Sequence, residues 1–231
     1  MIVPKSIVAI VCAGLTSIVA MPTARAAMIR GVVMFNGPVE QKKLAVTIDQ
    51  YVCGKDKPAE DLVVSPQRGV RSAVVWLQTP PPGSAWPSAP VKVEMDQKGC
   101  VFVPRVVLVP AGGTVEFLNS DRLLHNLHSV SKDNPSFNRT QSKGRAIPIE
   151  FAKPEIIQIN CDLHSWMRAW VVVADHPFYA LTNEAGEFSL PSVPPGKYTL
   201  QVWQEALGVS SREVTVGSDD AVVRVELKAP R

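Results

Sequence analysis

Residues 155–173 read EIIQINCDLHSWMRAWVVV. A short β-branched run at 156–160 enters, a second at 169–174 leaves, and the connection between them carries Cys161, His164 and Met167 at three-residue intervals. Runs of this length and composition read as strands rather than helix turns. Three side chains with metal-ligand chemistry therefore sit on one tight strand-to-strand loop. The same texture continues outward. Further candidate strands lie at 30–35, 44–48, 72–77, 91–95, 106–109 and 114–119, each short, apolar and bounded by turn residues. No amphipathic pattern longer than two helical turns is legible. The expectation is an all-β chain, as a sandwich or a Greek-key barrel.

Pro-rich residues 79–90 (TPPPGSAWPSAP) and the polar stretch 131–145 read as loops. After Asp175 the pattern changes. A turn at 183–186, a strand at 187–190, a second turn at Pro194-Pro195-Gly196 and alternating strands at 197–203, 214–216 and 222–227 make a second block. Its roughly 55 residues are few for an independent core, so it is expected to pack on the first block or share strands with it.

The N-terminus has Lys5, an apolar run at 6–20 and Ala24-Arg25-Ala26. This is the pattern of a cleaved secretory leader, 1–26, with an apolar run too short to favour a retained membrane helix. The expected location is the periplasm. The chain has 24 Lys and Arg against 21 Asp and Glu, and loss of Lys5 and Arg25 leaves a net charge of about +1. Neither nucleic acid nor an anionic membrane surface is indicated as a partner. Three cysteines follow the leader: Cys53, Cys100 and Cys161. In an oxidising compartment an odd number leaves one thiol with another task.

That thiol is read as Cys161. With His164, Met167 and the upstream His125, which follows the strand at 114–119, it makes a set of one thiolate, two imidazoles and one thioether. Two His and a Cys with a weak axial Met suit one copper ion that cycles between Cu(I) and Cu(II). Structural zinc is the competing reading, but zinc sites seldom use Met. His128, three residues beyond His125, points to the opposite face of an extended strand and is an alternative ligand or a packing residue. His176 reads as structural. Trp166 and Trp170 beside the loop are core residues by default, with Trp166 a candidate for an apolar docking patch.

From Phe102 to Ala174 the chain resembles the amicyanins and plastocyanins. FVPRVVLVPAGGTVEFLNSDRLLHNLH is similar to the family's strand, Gly-containing turn, strand and first His, and CDLHSWM to its short Cys-x2-His-x2-Met loop. The resemblance implies a cupredoxin Greek-key sandwich or barrel, with His125, Cys161, His164 and Met167 as ligands. It also implies that Asn126 steadies the Cys loop. The prolines that often flank the second His are replaced by Leu163 and Ser165. TNEAGEFSLPSVPPGKYTLQVW resembles the carboxypeptidase regulatory-like (prealbumin-like) β-sandwich, and residues 31–48 look like the opening strands of such a module. Whether those strands complete the C-terminal sandwich or extend the cupredoxin sheet is left open. The layout is similar to plastocyanin-like, methylamine-utilisation-type bacterial proteins. It is divided as leader 1–26, cupredoxin domain 27–175 and regulatory-like block 176–231.

With Cys161 assigned, Cys53 and Cys100 are expected to form a disulfide, two buried thiols being the alternative. The resemblance implies a one-electron carrier whose second imidazole, His164, reaches the surface as the electron port, with a redox protein docking near His164, Leu163 and Trp166. A carrier or store that hands copper on, and a binding module in which copper is structural, are the alternatives. No enzyme is expected: four protein ligands leave no open position, and no nucleophile–base arrangement is visible.

Overall fold

The computed structural model describes residues 26–86 and 91–230. The leader up to residue 25, and residues 87–90 of the expected loop, lie outside them. The described residues hold eighteen strands, β1–β18, and one four-residue helix, so the chain is all-β. Among them no helix is long and apolar enough to cross a membrane.

The first sandwich shares one core between two sheets. One runs β10 (Asn138–Gln141), β9 (His125–Val130), β12 (Glu155–Asn160), β13 (Arg168–Ala174), β7 (Val106–Pro110); the other runs β11 (Ile147–Phe151), β8 (Gly113–Asn119), β5 (Lys92–Gln97), β6 (Phe102–Val103). Each contains one parallel pair, β13 with β7 and β5 with β8. β8 shows why such sequences make strands: in GTVEFLN, Gly113, Val115, Phe117 and Asn119 are buried and the residues between are not, the period-two signature of a one-sided strand. β13 departs from it. Val171, Val172, Val173 and Ala174 are all buried, because both faces of this strand are covered, as its continuous apolar run suggests.

The second sandwich faces β14 (Tyr179–Leu181), β4 (Val74–Leu77), β16 (Gly196–Gln204), β17 (Gly208–Val216) with β15 (Glu187–Val193), β1 (Ala27–Phe35), β18 (Ala221–Leu227). The question about the N-terminal strands is answered by pairing. β1 is central, antiparallel to β15 and parallel to β18 from Ile29 opposite Ala221 to Phe35 opposite Leu227. β4 pairs with β14 and β16. The expected block 176–231 is thus completed by two strands from the first 80 residues. Ile29, Val33, Phe35, Val75 and Leu77 are fully or nearly fully buried in its core, apolar surface that a 55-residue block lacks.

The sandwiches meet along the outer face of β7, β12 and β13. Val74, Val106 and Val172 are buried there, with Trp76, Trp170, Tyr179 and Trp203 packed around them. Arg105 and Glu205 bridge the blocks with contacts of 2.5 and 3.0 Å, and the Trp170 Nε1–H donates to the same carboxylate at 3.0 Å.

Two expectations need correction. The polar stretch 131–145 is not all loop: β10 within it is an edge strand on β9. Its Asn138, Arg139 and Thr140 are exposed, so no apolar alternation marks it. The strand expected at 44–48 is shortened to Lys43–Ala45 and opens a strap over residues 43–58. β2 (Lys43–Ala45) pairs with β3 (Asp56–Pro58), and helix α1 (Gln50–Cys53) lies between them. Cys53 is joined to Cys100 by the expected disulfide, S–S 2.03 Å and Cα–Cα 5.4 Å. Val46 and Cys53 are buried in the core of the first sandwich.

Candidate metal centre

His125 opens β9, and Cys161, His164 and Met167 lie on the β12–β13 connection. The loop is closed by its own backbone: the Met167 N–H donates to His164 O at 2.8 Å and the Cys161 N–H to Met167 O at 3.2 Å. All four side chains are buried, at 0, 2, 1 and 1 % exposure in chain order. His125 Nδ1 lies 2.9 Å from His164 Nδ1, and Cys161 Sγ lies 3.9 and 3.5 Å from those two nitrogens. Met167 shares the buried cluster with Cys161.

The other ring nitrogens have carboxylate partners. His125 Nε2–H donates to Asp121 Oδ2 at 3.0 Å and His164 Nε2–H to Asp49 Oδ2 at 3.1 Å. These contacts place the proton of each neutral ring on Nε2 and leave the Nδ1 lone pair facing inward. Two imidazole lone pairs and a sulfur then converge in a buried space. Two facing lone pairs 2.9 Å apart are unfavourable unless a proton or a cation lies between them, and with a cation the group is a ligand set, so the donor chemistry fits a copper ion.

Burial lowers the pKa of His125, against the raising effect of its bond to Asp121. Burial likewise pushes the Cys161 thiol up, partly offset by the N–H groups of Asn126, His164 and Leu163. A thiol held protonated by a dry site gives up its proton to a bound cation.

Asn126 braces the ligand loop: its N–H points at Cys161 Sγ at 3.5 Å, and its Oδ1 accepts from the Asp162 N–H at 2.6 Å. His128 faces away from the centre and pairs with Asp162 at 2.8 Å. His176 donates to Leu77 O at 3.0 Å, a structural position. The expected exposed port is corrected: His164 is 1 % and Trp166 8 % exposed. The strap covers His164, and the Trp166 Nε1–H donates to Cys100 O at 3.0 Å. Of the expected docking residues Leu163 is exposed, at 44 %.

Asp49 and Asp121 were not among the candidates. Asp121 stands four residues before His125, and its oxygens also accept from the Gly99 and Cys100 N–H groups at 2.7 and 2.8 Å. A carboxylate so close in sequence was readable as a partner. Asp49 is 115 residues from His164, and nothing local marks it. Cys100, Asp121 and His125 also form a compact trio, but the Cys100 sulfur is committed to the disulfide.

Comparison with known proteins gives three results. The family model for polysaccharide lyase family 4, domain II, matches residues 142–223. No curated protein matches. Among solved structures, a Cu-containing nitrite reductase from Thermus scotoductus is 26 % identical over 42 % of this chain, with a TM-score of 0.35, and the match spans 25 % of that protein. A purple cupredoxin from Nitrosopumilus maritimus is 20 % identical over 36 % of this chain and 99 % of its own, with a TM-score of 0.32. Amicyanin from Paracoccus versutus is 22 % identical over 43 % of this chain and 97 % of its own, with a TM-score of 0.33.

Proposed function

We propose that this chain is an exported mononuclear copper protein of cupredoxin type that carries one electron. The observation that carries the reading is the convergence of His125 Nδ1, His164 Nδ1 and Cys161 Sγ within 2.9–3.9 Å of one another, all buried. Met167, buried in the same core cluster as Cys161, would supply a fourth, weak ligand. A copper ion held there supplies a Cu(II)/Cu(I) couple. The chain's own part is to hold the donors still. The β9 backbone, the closed β12–β13 loop and Asn126 fix the sulfur and both rings, so little rearrangement accompanies a change of charge. Four protein ligands would leave a bound copper no open position for a substrate, so the reading proposed is a carrier and not an enzyme.

The partner surface is proposed to lie over the strap and ligand loop rather than on His164. Leu163 and Leu124, each adjacent to a ligand, and Ile48 and Tyr51, within two residues of Asp49, are exposed at 44, 51, 45 and 83 %. With a mature charge near +1, a redox protein would dock on this apolar surface with little long-range steering. A second reading, a protein that holds copper and hands it on, is favoured by one observation: the strap buries the imidazole edge of His164, the edge the carrier reading expected at the surface.

Titration with Cu(II), followed by visible absorption and EPR, tests the centre. One copper per chain and an intense thiolate-to-copper band are expected; a colourless protein that prefers zinc overturns it. Electron self-exchange separates the two readings. Fast exchange, slowed in Leu163→Lys with the spectrum unchanged, supports the electron carrier. Slow exchange with rapid Cu(I) loss to a chelator supports the hand-on reading.

A further inference from the structure

Asp49 reaches the centre from outside the sandwich that holds the ligands. It stands at the N-cap of α1 with φ 52° and ψ 31°, in the left-handed region, which non-glycine residues enter uncommonly and Asp and Asn most often. An Asp in that position normally caps its own helix. Here the side chain makes no cap bond and its Oδ2 instead accepts from His164 Nε2 at 3.1 Å. The strap is anchored on both sides of this contact. Val46 is buried in the first sandwich before it, and Cys53 is buried and cross-linked after it.

The cross-link leads to the other imidazole. Cys100 donates its N–H to Asp121 Oδ2, the oxygen that accepts from His125 Nε2. Its carbonyl accepts from Trp166, whose ring lies 5.1 Å from that of His164. One disulfide therefore ties together the two carboxylates that orient the two imidazoles.

We propose that Asp49 is a positioning residue for the metal centre, and that the disulfide-anchored strap carrying it is the closure through which the ion and solvent must pass to reach Cys161 and His164. The proposal rests on the copper reading for the identity of the ion, but not for the closure. A carboxylate on Nε2 makes His164 a stronger donor and adds a negative charge beside the centre. Both effects favour Cu(II) over Cu(I) and lower the reduction potential.

The test uses the mature chain with Asp49→Ala, Asp49→Asn and Asp49→Glu. In the metal-free protein, alkylation of Cys161 by iodoacetamide, mapped by mass spectrometry, reads the closure. In the copper-loaded protein, Cu(I) loss to bicinchoninate and the reduction potential read the positioning. Asp49→Ala is expected to raise the alkylation rate above native, and to raise Cu(I) loss by about tenfold to a hundredfold. Asp49→Asn keeps an acceptor oxygen, so it is expected to raise the potential while leaving alkylation near the native rate. Asp49→Glu is expected to restore the native potential in part. Native alkylation and release rates in Asp49→Ala overturn the proposal. Should Asp49→Ala fail to fold, an unchanged potential in Asp49→Asn overturns it. If the native chain shows no thiolate-to-copper band, the copper reading fails on its own and the alkylation rates still decide the closure.

Discussion

On the copper reading each of the four proposed donors has one chemical task, so single substitutions separate them. Cys161→Ser removes the only thiolate among the four donors and is expected to abolish the charge-transfer band. Met167→Gln is expected to retain copper and shift the potential, since the axial ligand tunes it; voltammetry reads the shift. Away from the centre, Glu155 illustrates a carboxylate whose partners decide its charge. It accepts from the Lys132 N–H and the Ser131 hydroxyl, both at 2.6 Å, and from Asn134 Nδ2–H at 3.0 Å. These bonds outweigh burial and lower its pKa from 4.5 to about 2. A depressed folded pKa stabilises the native state at pH values above the unfolded one, and that stabilisation is lost as pH falls from 4.5 to about 2. Because Glu155 is part-exposed, solvent screening reduces its worth to about 1–2 kcal/mol. Glu155→Gln should be less stable than the native chain in urea at pH 7 by that amount, with the difference shrinking as pH falls toward 2.

Among the elements, the turn between β14 and β15 is built by side chain and glycine together. Asn183 Oδ1 accepts from the Ala185 and Glu187 N–H groups, both at 2.9 Å. Gly186, at φ 80°, receives the Val33 N–H of β1 on its carbonyl at 2.8 Å. A Cβ on Gly186 would lie 2.6 Å from Val33 O and from the Gly69 Cα. Gly186→Ala meets both a disfavoured φ and backbone that cannot move aside, and is expected to lose more than about 2 kcal/mol in urea denaturation. The strap depends on its cross-link instead. Non-reducing digestion and mass spectrometry should find the Cys53–Cys100 peptide. Replacing both cysteines with Ala should cost up to about 4 kcal/mol in the chain-entropy account.

At the level of the whole molecule, the described residues hold the two sandwiches together by apolar packing and by the Arg105–Glu205 pair with its Trp170 hydrogen bond. Arg105 and Glu205 have side chains 15 and 6 % exposed, so removing one strands the other in a low-dielectric seam. Glu205→Ala is expected to cost about 3–5 kcal/mol and to split the thermal unfolding transition in calorimetry, as the sandwiches lose their mutual support. Arg105→Met with Glu205→Leu should restore much of that loss, because a well-packed apolar pair avoids the desolvation cost.

Local chemistry in the sequence determined the class of structure and the donor types. Period-two alternation in runs such as 114–119 makes strands whatever their partners, and Cys161, His164 and Met167 fall together because one short loop joins two strands. The Cys53–Cys100 bond was also legible, as the pair left when Cys161 has another task. Tertiary structure alone decided which sheet each strand joins, since alternation shows that one face is buried but not against what. β1 could have extended the first sandwich, and it completes the second because that core lacked apolar surface. β10 escaped notice because an exposed edge strand needs no apolar pattern. The burial of His164 and the position of Asp49 were illegible for the same reason on a longer scale: a contact across 115 residues leaves no periodicity or spacing, and it exists only where the fold lays the strap over the ligand loop.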